Sequence, residues 1–211
     1  MWLIDDIEWM KRWSQIKALV FDWDGVFNSG EKSPNISSGY FEADSMGVNM
    51  LRFSLWLRDG TPPPVAVITG ANNPGAQAWA EREHIHACYG KVLNKQDILE
   101  SFCKDHNIKP ENVCFFFDDI LDLNAASIAG VRMLLNRPGA PFFSDLVKKR
   151  QWADFISKQP GGQYGLRECC DHILERNLTM EVVVKKRMAT TGDYLTYLEE
   201  RNKINPQFFQ K

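Results

Sequence analysis

The stretch ALVFDWDG, residues 18–25, decides the fold. Four apolar residues run on without alternation and stop at Asp22. A short continuous apolar run closed by turn residues is what a parallel strand buried on both faces requires. VAVIT (65–69) and VCFFF (113–117) repeat the pattern, and VRMLL (131–135) supplies a fourth case. Helical periodicity lies between them, at about 46–57, 74–84, 95–106 and 122–129. An earlier helix is expected over about 2–16, where Trp9, Trp13 and Ile16 share one face. Strands alternating with helices of about ten residues predict βαβ units. The expected fold class is therefore α/β, a Rossmann-like three-layer α/β/α sandwich with a mostly parallel sheet.

Composition agrees with this and excludes several other classes. The chain has 211 residues, 44% hydrophobic and 25% charged, as an ordinary globular domain does. Its net charge of −2 provides no global field for nucleic acid or anionic lipid. No apolar stretch approaches the roughly 18 residues of a membrane span. The opening MWLIDDIEWMKRW does not read as a signal peptide, because Asp5, Asp6 and Glu8 interrupt it. Five cysteines, two of them adjacent (Cys169 and Cys170), show no metal-ligand spacing. They suit reduced thiols, hence a cytoplasmic location.

Residues 26–44 break the strand–helix alternation. They are rich in Gly, Ser and Asn and carry Pro34, so a β-hairpin flap after the first strand is expected. TPPP (61–64) stiffens the entry to the second strand, and QPGGQYG (159–165) reads as a glycine-rich loop before a helix starting near Leu166. Residues 1–176 form the expected main domain, and 177–211 a charged helical extension.

Three of the buried strands end in groups able to act on phosphate. The first ends at Asp22, Trp23, Asp24 and Gly25, the second at Thr69 and Gly70, and the third at Asp118, Asp119 and Asp122. Residues just past the carboxyl ends of parallel strands converge on one crevice. So many carboxylates together need a cation, and an all-oxygen set favours Mg²⁺. Lys95, at the start of a helix, could offset a phosphate dianion.

FDWDG, ITG, Lys95 and DDILD resemble the four ordered motifs of the haloacid dehalogenase (HAD) superfamily, over roughly residues 18–176. Within it, FDWDGVFNSG, FEADSMGVNML, VAVITG and GGQYGLRE most resemble the 3-deoxy-D-manno-octulosonate 8-phosphate (KDO 8-phosphate) phosphatases and related nonulosonate-phosphate phosphatases. The resemblance implies a Mg²⁺-dependent phosphomonoesterase acting on a small phosphorylated sugar acid through an aspartyl-phosphate intermediate. It implies Asp22 as nucleophile and Asp24 as acid and base. Mg²⁺ would be held by the Asp22 carboxylate, the Asp24 main-chain carbonyl and Asp118, with Asp119 and Asp122 in or near its surroundings. Thr69 and Lys95 would act on the phosphoryl group, Gly70 would line its site, and Arg167 and Asp44 would help bind the sugar acid. Arg167 also reads as a surface helix residue, and Asp44 as a turn aspartate.

Only 44 residues separate Asp24 from Thr69, and 25 separate Thr69 from Lys95, too few for an independently stable cap domain. The expected fold is thus capless. In the resembled relatives a neighbouring subunit closes each site, which implies a homotetramer here. Phe117 stands where the family has glycine, and either crowds the crevice or packs in the core. Ala71, Asn72 and Asn73 follow ITG where a basic or polar residue is usual. These departures leave two other readings: a phosphatase for a nonulosonate 9-phosphate or another small phosphomonoester, and an inactive HAD-like oligomerisation or regulatory module.

Overall fold

In the computed structural model, residues 1–32 and 39–210 are described. The helices are α1 (Asp6–Trp13), α2 (Glu42–Asp59), α3 (Pro74–Glu83), α4 (Lys95–Asp105), α5 (Leu123–Ile128), α6 (Pro141–Arg150), α7 (Gly165–Arg176), α8 (Met180–Ala189) and α9 (Asp193–Arg201). The strands are β1 (Ala18–Phe21), β2 (Val65–Ile68), β3 (Ala87–Gly90), β4 (Val113–Phe117), β5 (Val131–Asn136), β6 (Phe155–Pro160) and β7 (Gln207–Gln210). They form one sheet in the order β6-β5-β4-β1-β2-β3-β7, with every ladder parallel.

The unbroken apolar runs follow from burial on both faces. Leu19, Phe21, Val65, Val67, Cys114 and Phe116 point into one core, lined by α1, α2, α3, α7, α8 and α9. Their neighbours Ala18, Val20, Ala66, Ile68, Val113 and Phe115 point into the other, lined by α4, α5 and α6. Successive strand side chains face opposite ways, so each apolar residue of a four-residue run meets a helical layer. The chain leaves β1 towards β2 and β3, then returns to place β4 on the other side of β1. That reversal makes the carboxyl ends of β1 and β4 the switch point of the sheet, where such folds open a crevice.

The structure departs from the sequence reading in several places. Glu42 already begins α2, so 42–44 are helical. The remaining described residues of 26–44 carry no named strand; there is only a single bridge between Asp24 and Asn28. Positions 33–38 of the expected flap lie outside the described residues. The expected helical extension, 177–211, contains α8 and α9 but ends in a strand, β7, paired to β3 with Phe209 stacked on Tyr89 at 4.8 Å. All five cysteines are free and buried. No helix among the described residues is long and apolar enough to cross a membrane.

One buried carboxylate ties the chain's start to the sheet. Asp154, fully buried, accepts from Arg12 at 3.0 Å and from the Arg132 guanidinium at 2.5 Å and backbone N–H at 2.8 Å. Removing one partner of a buried pair strands the other charge. Asp154→Ala should lose about 3 kcal/mol of stability in chemical denaturation; an unchanged midpoint would contradict this reading.

Candidate active site

Asp22 follows β1 directly, its backbone N–H donating to Phe116 O at 2.9 Å, so it sits beside the end of β4. Asp118 follows β4. Asp122 closes a 3₁₀ turn (Ile120–Asp122) that leads into α5. One carboxylate oxygen from each of Asp22, Asp118 and Asp122 lies within 4.8 Å of the others. All three side chains are buried. Lys95, first residue of α4, is buried too and donates to Asp22 at 2.6 Å and to Asp122. Asn94 caps that helix by accepting from Gln96 N–H, fixing where Lys95 emerges.

Backbone geometry brings these groups close. Gly25 has φ +90°, and a Cβ there would lie 2.0 Å from Asp118 Oδ2. No side chain fits between the turn after β1 and the Asp118 carboxylate. Gly161 has the matching constraint: its Cβ would lie 1.9 Å from Gly25 O, so the glycine-rich loop packs flat on that turn. This gives the GGQYG segment a structural reason that its spacing alone did not reveal.

Thr69 and Asp24 form the opposite wall. The Thr69 hydroxyl accepts from Asn73 Nδ2 at 2.7 Å and Ala71 N–H at 3.3 Å. Both lone pairs are engaged, and its proton is left to donate into the crevice. Asn73 Nδ2 also donates to Asp24 at 2.8 Å, and Lys32 pairs with Asp24. The crevice these groups line has a volume of about 380 Å³, and Gly70, Ala71, Asp119 and Arg137 complete its rim.

Other expected site residues stand elsewhere. Asp119, on the crevice rim, is not part of the three-carboxylate cluster; it accepts from Ile120 N–H and pairs with Arg137. Asp44 is fully buried in α2 and accepts from Arg167 N–H, in the first turn of α7, at 2.8 Å. A carboxylate there satisfies an orphan donor and the helix dipole, and it ties α2 to α7. The Arg167 side chain donates to Asp171 at 2.7 Å and lines a different cavity, with Tyr164 and His172. A single chain therefore does not bring Arg167 or Asp44 into the crevice. Phe117 is buried in the core against Phe115, with ring planes 5° apart, and does not crowd the site.

Arg137, Asn73 and Lys32 were not singled out as site residues by sequence. Arg137 was legible in principle, since it follows a strand end as Asp22 and Asp118 do. Its Nε lies 3.2 Å from Asp118 Oδ2. Asn73 counted only as a departure from pattern, and nothing near Lys32 marked it.

Electrostatics favour a cation. Burial is the main cause raising the Asp22 carboxyl, to about 7, with Asp122 adding to it and Lys95 opposing. Burial again leads for Asp118, raised to about 8, helped by Asp22 and Asp122 and opposed by Arg137. Burial alone would depress the Lys95 ammonium, but Asp22 and Asp122 outweigh it and hold it above its usual range. Asp118 Oδ2 is buried and accepts no hydrogen bond, with the Arg137 guanidinium 3.2 Å from it. Three crowded, buried oxygen donors fit a divalent cation such as Mg²⁺.

No protein-family model matches the sequence. Solved structures match it in shape. KDO 8-phosphate phosphatase from Moraxella catarrhalis, solved with magnesium, phosphate and KDO, is 21% identical; the match covers 86% of this chain and 99% of that one, with a TM-score of 0.69. The cobalt-bound enzyme of the same name from Haemophilus influenzae is 23% identical, with 78% and 91% covered and a TM-score of 0.64. A Legionella pneumophila protein assigned to HAD superfamily subfamily III A is 23% identical, with 87% and 95% covered and a TM-score of 0.68.

A carboxyl raised by the fold stays protonated where the unfolded chain has ionised. The metal-free fold should therefore lose stability as pH rises from about 4 towards 8. A divalent cation displaces those protons, so the rise in Tm at one fixed Mg²⁺ concentration should grow between about pH 5.5 and 8. A flat or shrinking gain would contradict the cluster as a cation site. With the carboxylates gathered at the switch point of a seven-stranded parallel sheet, the chain is a structural match to the HAD-superfamily KDO 8-phosphate phosphatases and shares their fold.

Proposed function

We propose that this chain is a Mg²⁺-dependent phosphomonoesterase acting on a small phosphorylated sugar acid, such as KDO 8-phosphate. The observation that carries this reading is the buried Asp22–Asp118–Asp122 cluster bridged by Lys95, facing the Thr69 hydroxyl across one crevice. The Moraxella catarrhalis protein of the same fold was solved with KDO and phosphate, which supports the substrate class.

Asp22, Asp118 and Asp122 would offer side-chain oxygens to Mg²⁺, and the Asp24 carbonyl would be the further ligand that the resemblance suggests. When bound, the ion screens the phosphate dianion from the carboxylates and stabilises charge on the phosphoryl oxygens. A carboxylate oxygen of Asp22 attacks phosphorus. The bond from phosphorus to the sugar oxygen breaks as Asp24 delivers a proton to that oxygen. Asp24 then takes a proton from water, whose oxygen attacks the aspartyl phosphate and releases inorganic phosphate with Asp22 restored. Lys95 and the Thr69 proton bind the phosphoryl oxygens, and Gly70 lines their site. Positioning supplies most of the acceleration in such a reaction. Asn73 is a positioning residue, since one amide nitrogen holds both Asp24 and Thr69. Arg137 and Lys32 line the crevice where Arg167 does not, and they are the cations placed to meet the sugar carboxylate.

A panel of KDO 8-phosphate, a nonulosonate 9-phosphate and simple sugar phosphates, with Mg²⁺ or EDTA, tests this reading. Turnover should require Mg²⁺ and be fastest on a sugar-acid phosphate. Asp22→Asn should lower kcat by a thousandfold or more, roughly the scale of losing a nucleophile. A folded, Mg²⁺-loaded protein inert to the whole panel would return the chain to the inactive-module reading.

We further propose a homotetramer. No independent cap domain is inserted among the described residues, so the crevice of one chain stays open to water. Light scattering at micromolar concentration should give four times the chain mass; a monomer mass would overturn the assembly.

A further inference from the structure

A second cavity, of about 350 Å³, lies between α2, the end of α3, α8 and α9, lined in part by Ser45, Asn49, Arg82, Glu83, Arg187 and Arg201. Its charges do not balance. Glu83, nearly buried, already takes Arg82 at 3.2 Å, Arg201 at 3.0 Å and the Ser45 hydroxyl at 3.1 Å. Glu42 takes Arg82 at 2.6 Å. Behind the wall, the wholly buried Arg52 spends its Nη atoms on the carbonyls of Glu83 and His84, at 2.6 and 3.1 Å. On the lining, three guanidiniums face two carboxylates, and Arg82 and Arg201 take both of them.

Arg187 is the group left over. Its guanidinium lies 4.2 Å over the Tyr194 ring, its Nε is buried without a hydrogen bond, and no described carboxylate pairs with it. The Tyr194 hydroxyl donates to Asn49 Oδ1 at 3.0 Å, and no described acceptor takes the Asn49 Nδ2 donors. Arg52 Nε and the Tyr197 hydroxyl, both buried, lack partners as well. Half-buried cationic charge with spare donors is costly unless an anion completes it.

We propose that this cavity binds a small organic phosphate dianion, with Arg187 meeting the phosphate and the Asn49 amide beside it. The lining carries an excess of positive charge, and guanidinium forks match the tetrahedral oxygens of a phosphate. A cavity of this volume admits a molecule of metabolite size. The proposal does not rest on the phosphatase reading.

Isothermal titration calorimetry of the full chain in EDTA tests it, with Lys95→Ala reporting any binding in the carboxylate crevice. The probes are inorganic phosphate, glucose 6-phosphate, succinate and glucose. Glucose 6-phosphate should bind at one site, more tightly than succinate, and glucose should not bind. Arg187→Gln should weaken it at least about tenfold, Arg187→Lys by less, and Lys95→Ala should leave it unchanged. Thermal melts check that each variant is folded, and Arg187→Lys carries the test if Arg187→Gln does not fold. Absence of binding at millimolar concentration, loss of binding in Lys95→Ala but not in the Arg187 variants, or equal affinity for succinate would each overturn the proposal.

Discussion

Three carboxylates that cannot all stay ionised together organise this molecule's chemistry. Asp22, Asp118 and Asp122 are buried within 4.8 Å of one another, and one lysine bridges two of them. In a medium that screens poorly, like charges at such range repel by several kcal/mol, so the cluster holds protons or gathers cations. Lys95 and Arg137 are the cations the chain itself supplies. Arg137 reaches Asp118 Oδ2 at 3.2 Å without a hydrogen bond, so the pairing is incomplete. A binding place for a metal and its phosphate is the resolution the proposed reaction uses.

The fold makes that arrangement achievable at low backbone cost. Parallel strands end at one side of the sheet, and the reversal of direction at β1 sets Asp22 beside Asp118. Two glycines then allow close approach, Gly25 to a carboxylate and Gly161 to Gly25 itself. Asp44 fastens α7, the helix that follows the glycine loop, onto α2. The residues that surround the chemistry are therefore split between those that touch the crevice and those that hold its walls. Arg167 and Asp44 belong with the walls in a single chain, although the family resemblance implied that they help bind the substrate.

The parts legible in the sequence were those with a one-dimensional cause. β1, β2 and β4 announced themselves because burial on both faces demands unbroken apolar runs, and β5 did so with a run broken only at Arg132. β3 (Ala87–Gly90) did not, since ACYG is short and mixed in size. The end of β6 is exposed, so FISKQP shows no full apolar run. β7 is exposed throughout, and only its pairing with β3 makes QFFQ a strand. The acidic cluster could be foreseen because each member follows a strand end. Arg137 follows the end of β5 and could have been placed that way; Asn73 and Lys32 could not, because their roles come from contacts across the crevice. The charged tail hid Tyr194 and Tyr197, which α9 buries in the core beside Phe53.

Crystals grown with Mn²⁺ in place of Mg²⁺, with the ion located by anomalous scattering, test the central claim most directly. The account expects one strong peak within coordination distance, roughly 2.2 Å, of carboxylate oxygens from both Asp22 and Asp118. A fully exchanged crystal with no peak there, or with manganese only at other carboxylates, would contradict it.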